Sequence, residues 1–138
     1  MNRVLIVMFM LLCAAALSNV AFAAPNMHPG RWEITSTIDM PGMAFTMPAS
    51  THTQCITAKD LIPQAQQEND KCKILENQIS GDTVTWKVRC ESDGGTMVSE
   101  GRIVYDGDSF AGTVATTGSQ MPSGMTQKMT GKRLGECQ

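Results

Sequence analysis

Thr83-Val84-Thr85-Trp86-Lys87-Val88-Arg89-Cys90-Glu91 is the stretch that decides the fold class of this chain. Val84, Trp86, Val88 and Cys90 fall on one side of an extended backbone, and Thr83, Thr85, Lys87 and Arg89 on the other. A period of two belongs to a strand with one face on a core and one in water. Ser80-Gly81-Asp82, just before it, is turn chemistry, so residues 73–79 and 83–91 are expected to form a hairpin.

The same logic extends in both directions. Asp93-Gly94-Gly95 is a turn, 96–105 a strand, Asp106-Gly107-Asp108 a turn and 109–117 another strand. A looser connection containing Pro122 leads to a last strand over 125–134. Upstream, Trp32, Ile34 and Ile38 alternate with Glu33, Thr35 and Thr37, and 52–56 reads as the second strand. One segment looks helical: Thr57 is placed to cap it with Asp60 three residues on, Leu61, Ile62 and Ala65 give it apolar surface, and Pro63 limits it to about two turns. Gly101, Gly112 and Gly131 sit inside three successive strands, where glycine is costly unless the sheet bends. The expectation is an all-β domain: a curved antiparallel meander of about seven strands, half-barrel-like, with one short helix.

The beginning of the chain sets its compartment. Asn2-Arg3 is a positive start, residues 4–17 are almost wholly apolar, and Ala21-Phe22-Ala23 places small residues where a signal peptidase needs them. A retained membrane anchor fits less well, because Ser18 and Asn19 interrupt the run and no basic cluster follows. A lipoprotein fits worse, because Met10-Leu11-Leu12 before Cys13 lacks the small residues lipidation requires. Residues 1–23 are therefore read as a secretory signal peptide and 24–138 as a single domain, periplasmic or secreted, with no membrane span after cleavage. Cleavage would remove Arg3 and take the formal net charge from −2 to −3. With both signs interspersed, neither a nucleic-acid partner nor electrostatic docking to anionic lipid has support.

Cleavage would also remove Cys13 and leave Cys55, Cys72, Cys90 and Cys137. An even set in an oxidising compartment reads as two disulfides. Cys55–Cys72 and Cys90–Cys137 are the favoured pairs, one stapling the helical excursion and the other the C-terminus. No Cys-x-x-Cys pair or zinc-ligand spacing points to a redox or metal role.

Methionine is the unusual residue. Eleven occur, and eight follow residue 23. Six of these fall in two clusters: Met40, Met43 and Met47, then Met121, Met125 and Met129. Flexible thioethers suit an adaptable apolar binding surface. The ligand-binding set is read as Met40, Met43, Met47, Met125, Met129 and Trp86. An alternative is Cu(I) held by Met40, Met43 and Met47, with His52 or His28 adding a nitrogen. No other cofactor is implied. Catalysis has little support: the two histidines have no evident acid or nucleophile beside them. The carboxylates fall on polar strand faces or in turns, and no phosphate loop or nucleophile elbow occurs.

Several segments form one set of landmarks: Pro29-Gly30-Arg31-Trp32-Glu33, Met40-Pro41-Gly42-Met43, Gln54-Cys55-Ile56-Thr57 and Gly94-Gly95-Thr96-Met97. The hairpin from Tyr105 to Gly112, and Gly131-Lys132-Arg133-Leu134-Gly135 with Cys137, complete it. Together they resemble the family of small exported proteins of Gram-negative bacteria catalogued as domain of unknown function 3617. The resemblance spans nearly the whole of 24–138. It implies an exported, cysteine-stapled β domain, and no reaction, cofactor or catalytic residue. The residues thus point to a non-enzymatic binding or interaction domain for a small apolar ligand or partner segment, with Cu(I) handling as the alternative.

Overall fold

A computed structural model describes residues 24–42, 47–63 and 66–138. The expected signal peptide, residues 1–23, lies outside them, as does Met43. Seven antiparallel strands build one sheet: β1 (Gly30–Asp39), β2 (Ser50–Ile56), β3 (Cys72–Ser80), β4 (Thr83–Ser92), β5 (Gly95–Asp106), β6 (Ser109–Gly118) and β7 (Met121–Gly135). Their order is β2-β1-β7-β6-β5-β4-β3, an open sheet with β2 and β3 at its two edges. Three hairpins turn where the sequence placed them, whereas the looser connection expected before a strand over 125–134 is a tight turn at Ser119-Gln120, with β7 starting at Met121. Gly81 and Gly107 supply the positive φ, 56° and 62°, that two-residue hairpin turns demand.

One face of this sheet is apolar and curls on itself. Val84, Trp86 and Val88 on β4 join Ile103 and Tyr105 on β5, Phe110 and Val114 on β6, Met129 on β7 and Trp32 and Ile34 on β1. The rings of Trp32 and Tyr105 meet edge-on at 6.2 Å although β7 and β6 lie between their strands. Flat strands three intervals apart would stand about 14 Å from one another, so the sheet is curved toward this face.

The strand glycines seat bulky side chains. Trp86 is the cross-strand partner of Gly101, Ile103 of Gly112 and Phe110 of Gly131. In each pair a Cβ on the glycine would run into the partner's side chain. Curvature and seating are thus one device: the ring of one strand lies flat over the bare backbone of the next.

The chain must travel from edge β2 to the opposite edge β3, and residues 57–71 do so across the apolar face. Leu61, Ile62 and Pro63 are buried there, and the buried Tyr105 hydroxyl donates to the Leu61 carbonyl at 2.8 Å. The expected helix does not form: among the described residues this segment is turn and loop. Thr57 caps only a turn, accepting from the Lys59 amide at 3.3 Å and donating to Asp60 at 3.0 Å. Pro63 and the need to span the sheet favour extended chain over helix.

The disulfide pairing also differs from expectation. Cys72 pairs with Cys90 and Cys55 with Cys137, at Cα separations of 4.0 and 5.8 Å. Cys55 and Cys72 stand on opposite edges of the sheet, so a bond between them is geometrically barred. Each disulfide instead anchors one foot of the crossover, Cys55 to the tail beyond β7 and Cys72 to its direct partner on β4. The lead before β1 is docked on the β5–β6 turn. Met27 bridges Gly107, the Gly107 amide donates to the Asn26 carbonyl at 2.8 Å, and His28 Nδ1 lies 2.9 Å from Asp108.

Candidate functional site

Cross-strand register shows where the methionines go. On the apolar face Val88, Ser99, Thr116 and Met125 form one row across β4, β5, β6 and β7. The next row outward is Cys90, Met97, Gly118 and Met121. Met40 follows Asp39, whose partner on β7 is Thr126, and so lies beside Met125. Met40 from the first cluster, Met121 and Met125 from the second, more than 80 residues away in sequence, and the isolated Met97 therefore share one corner of one face. The crossover ends at Cys72, the partner of Cys90 at the β4 end of the outer row.

The corner has a packed floor and an open rim. Met129 and Trp86 are each 3% exposed and belong to the sealed core. Met40, Met121, Met125, Ile38 and Gln127 are half-buried, and Met97 is 37% exposed. Hydroxyls line the step between floor and rim, with Ser99 and Thr116 hydrogen-bonded at 2.8 Å. Ser36, paired with Met129, is 4% exposed and its Oγ has no protein partner. Trp86 Nε1 is likewise buried and unpartnered. Leaving such a group unmet costs about 1–3 kcal/mol, which marks these two donors as places that suit a polar group.

The anticipated residues thus divide. Met40 and Met125 stand at the rim, while Met129 and Trp86 form the floor behind it. Met47 and His52 are exposed near edge strand β2, with His52 opposite Ile34. Met97 and Met121 belong to the corner and were not assigned to it from sequence. The signal for them is parity: both share a face with residues whose register the Asp93-Gly94 turn and the β6–β7 pairing fix. Among the described residues no group of three or more His, Cys, Asp or Glu side chains is placed to hold a metal ion. No helix among them is long and apolar enough to cross a membrane.

The landmark segments at the two ends of the domain meet. Trp32 pairs with Arg133, Glu33 with Lys132 and Ile34 with Gly131 on adjacent strands β1 and β7. Arg133 Nε donates to the Pro29 carbonyl at 2.9 Å, and its terminal nitrogen donates to Glu136. Gly30 is bare because a Cβ there would sit 2.7 Å from Arg133 Nε. These landmarks build the scaffold rather than a reaction centre.

A family model described as "Protein of unknown function (DUF3617)" matches residues 27–137, and the chain belongs to that family. No curated protein and no solved structure matches it.

Proposed function

We propose that this DUF3617 protein is an exported, non-enzymatic binding domain that holds an apolar ligand or partner segment at the methionine corner of its sheet. One observation carries the reading: register gathers Met40, Met97, Met121 and Met125 at a half-open rim beside the packed core residues Val88, Val114 and Met129. Unbranched thioether side chains repack around varied apolar shapes at small cost. Ser36 Oγ on β1 and Trp86 Nε1 on β4 are buried and have no protein partner. The signal-like pattern of residues 1–23 supports the exported part of this reading.

Native mass spectrometry of the protein purified from the periplasm of its host tests it. A co-purifying mass is expected, lost in the Met97→Asp/Met125→Asp variant. An unmodified mass that no apolar additive changes would overturn the reading.

The same gathering favours Cu(I) as the second reading. Met40, Met121 and Met125 supply three soft sulfurs from β7 and the end of β1, in place of a set built on Met40, Met43, Met47 and His52. Titration with Cu(I) against a competing chelator separates the two. Loss of affinity in Met121→Leu/Met125→Leu supports copper, and no measurable affinity removes it.

A further inference from the structure

The opposite, polar face of the sheet carries a groove of about 430 Å³ that the binding reading above does not use. Its volume is within the range of small-molecule sites, about 300–1,000 Å³. Register orders its lining. Thr85, Arg102 and Thr113 line it as successive cross-strand neighbours on β4, β5 and β6, and Lys128 on β7 extends their row just beyond the lining. In the adjacent row Glu76, Lys87 and Glu100 follow one another on β3, β4 and β5.

The two rows differ in how their charge is met. Lys87 Nζ lies 2.7 Å from Glu100 and is held protonated above its usual range by that hydrogen bond and charge, with Glu76 adding to it. This is the opposite-charge pairing expected of cross-strand neighbours. Arg102 departs from it. Its cross-strand neighbours are Thr85 and Thr113, and among the described residues it forms no ion pair, nor does Lys128. Two uncompensated cations therefore flank Thr113, one on each side. Strands lie about 4.8 Å apart, so the Arg102 and Lys128 backbones are about 10 Å apart. The Arg fork suits the paired oxygens of a carboxylate or phosphate. The hydroxyls of Thr85, Thr113 and Thr126 line the same groove.

We propose that this groove binds a small polyhydroxylated anion, an acidic or phosphorylated sugar. Its anionic group sits over Thr113 between Arg102 and Lys128, and its hydroxyls meet the threonine row. The site is separate from the methionine corner, on the other face of the sheet.

The test is an amide NMR titration of the exported, purified protein at low ionic strength with glucuronate, glucose 6-phosphate and glucose. Localised shifts around Arg102, Thr113 and Lys128 are expected with at least one of the two anions. Neutral glucose is expected to produce none. Response to glucuronate alone assigns a carboxylated ligand, and response to glucose 6-phosphate alone a phosphorylated one. Arg102→Gln should weaken binding at least tenfold, while Lys71→Gln, an exposed cation outside the groove, should leave it unchanged. Both substitutions are at exposed positions and their spectra report retained fold. Absence of localised shifts with both anions overturns the proposal. So does unchanged affinity in Arg102→Gln, or an equal loss in Lys71→Gln.

Discussion

Gly101→Ala probes how the core face is built. Gly101 is the cross-strand partner of Trp86, and the indole lies across its bare backbone. A Cβ at Gly101 would sit 2.7 Å from Trp86 Cη2 and closer still to Cζ2 and Cε2. Carbon atoms in contact settle at about 3.5–4.0 Å, so the ring has to lift by about 1 Å. It has little room to do so, being 3% exposed within the core. Overpacking of this kind costs about 1–3 kcal/mol. Alanine also restricts the unfolded chain, which returns about 0.4–1 kcal/mol. The expected net loss is about 1–2 kcal/mol, read from urea unfolding with both disulfides intact. Gly94→Ala is the control. Its nearest neighbour, Gln120 Nε2, is 3.5 Å away, and the change should stay within about 0.5 kcal/mol. In a Trp86→Leu background, which removes the ring, Gly101→Ala should lose less than half as much, giving a coupling of about 1 kcal/mol. Full stability of Gly101→Ala, or the same loss with and without the indole, would refute the seating argument.

Four further outcomes follow from the packing. Peptide mapping without reduction should recover Cys55 linked to Cys137 and Cys72 linked to Cys90, and a Cys55–Cys72 fragment would contradict the topology. With sequence separations of 82 and 18 residues, loop entropy gives about 4.5 kcal/mol for the first bond and about 3 for the second, so Cys55→Ser/Cys137→Ser should lower stability more than Cys72→Ser/Cys90→Ser. Burial holds the Tyr105 phenol above its usual value of about 10, so the folded chain keeps this proton more tightly than the unfolded one. That stabilisation is complete below about pH 10 and declines as pH rises beyond it. Tyr105 is the sole tyrosine, and its phenolate absorbance should appear together with alkaline unfolding; a phenolate forming at the ordinary pKa in folded protein would contradict its burial. Tyr105→Phe should cost about 1–3 kcal/mol by orphaning the Leu61 carbonyl, measured by the same urea unfolding, and an unchanged midpoint would show that the crossover is not held there.

Most of the fold is legible because each short turn fixes a register. Ser92 facing Gly95 commits Trp86 to Gly101, and Asp106 facing Ser109 commits Ile103 to Gly112. The glycines read as curvature from sequence alone, whereas counting outward from these turns also reveals what sits over them. The disulfides were hidden by one residue. The β3–β4 turn pairs Ser80 with Thr83, and that register continued would place Cys72 opposite Glu91. A bulge between Ile74 and Glu76 shifts it by one and brings Cys72 opposite Cys90. Nothing local to Leu75 announces that bulge. The segment after Thr57 carried a genuine capping signal, but a chain obliged to cross from one sheet edge to the other is drawn out, and the cap serves a turn. The methionine corner was half legible. Its residues stand out by composition, yet their convergence depends on β1 lying next to β7, a long-range pairing that periodicity does not contain.

Methionine-methyl NMR of the purified protein, with dodecanoate as the apolar probe, tests the central claim most directly. The methyls of Met40, Met97, Met121 and Met125 should shift in a saturable manner, while Met129 in the packed floor and Met27 in the docked lead should stay in place. A spectrum that dodecanoate leaves unchanged, or one in which Met129 and Met27 move as far as the rim methionines, would contradict a ligand site at this corner.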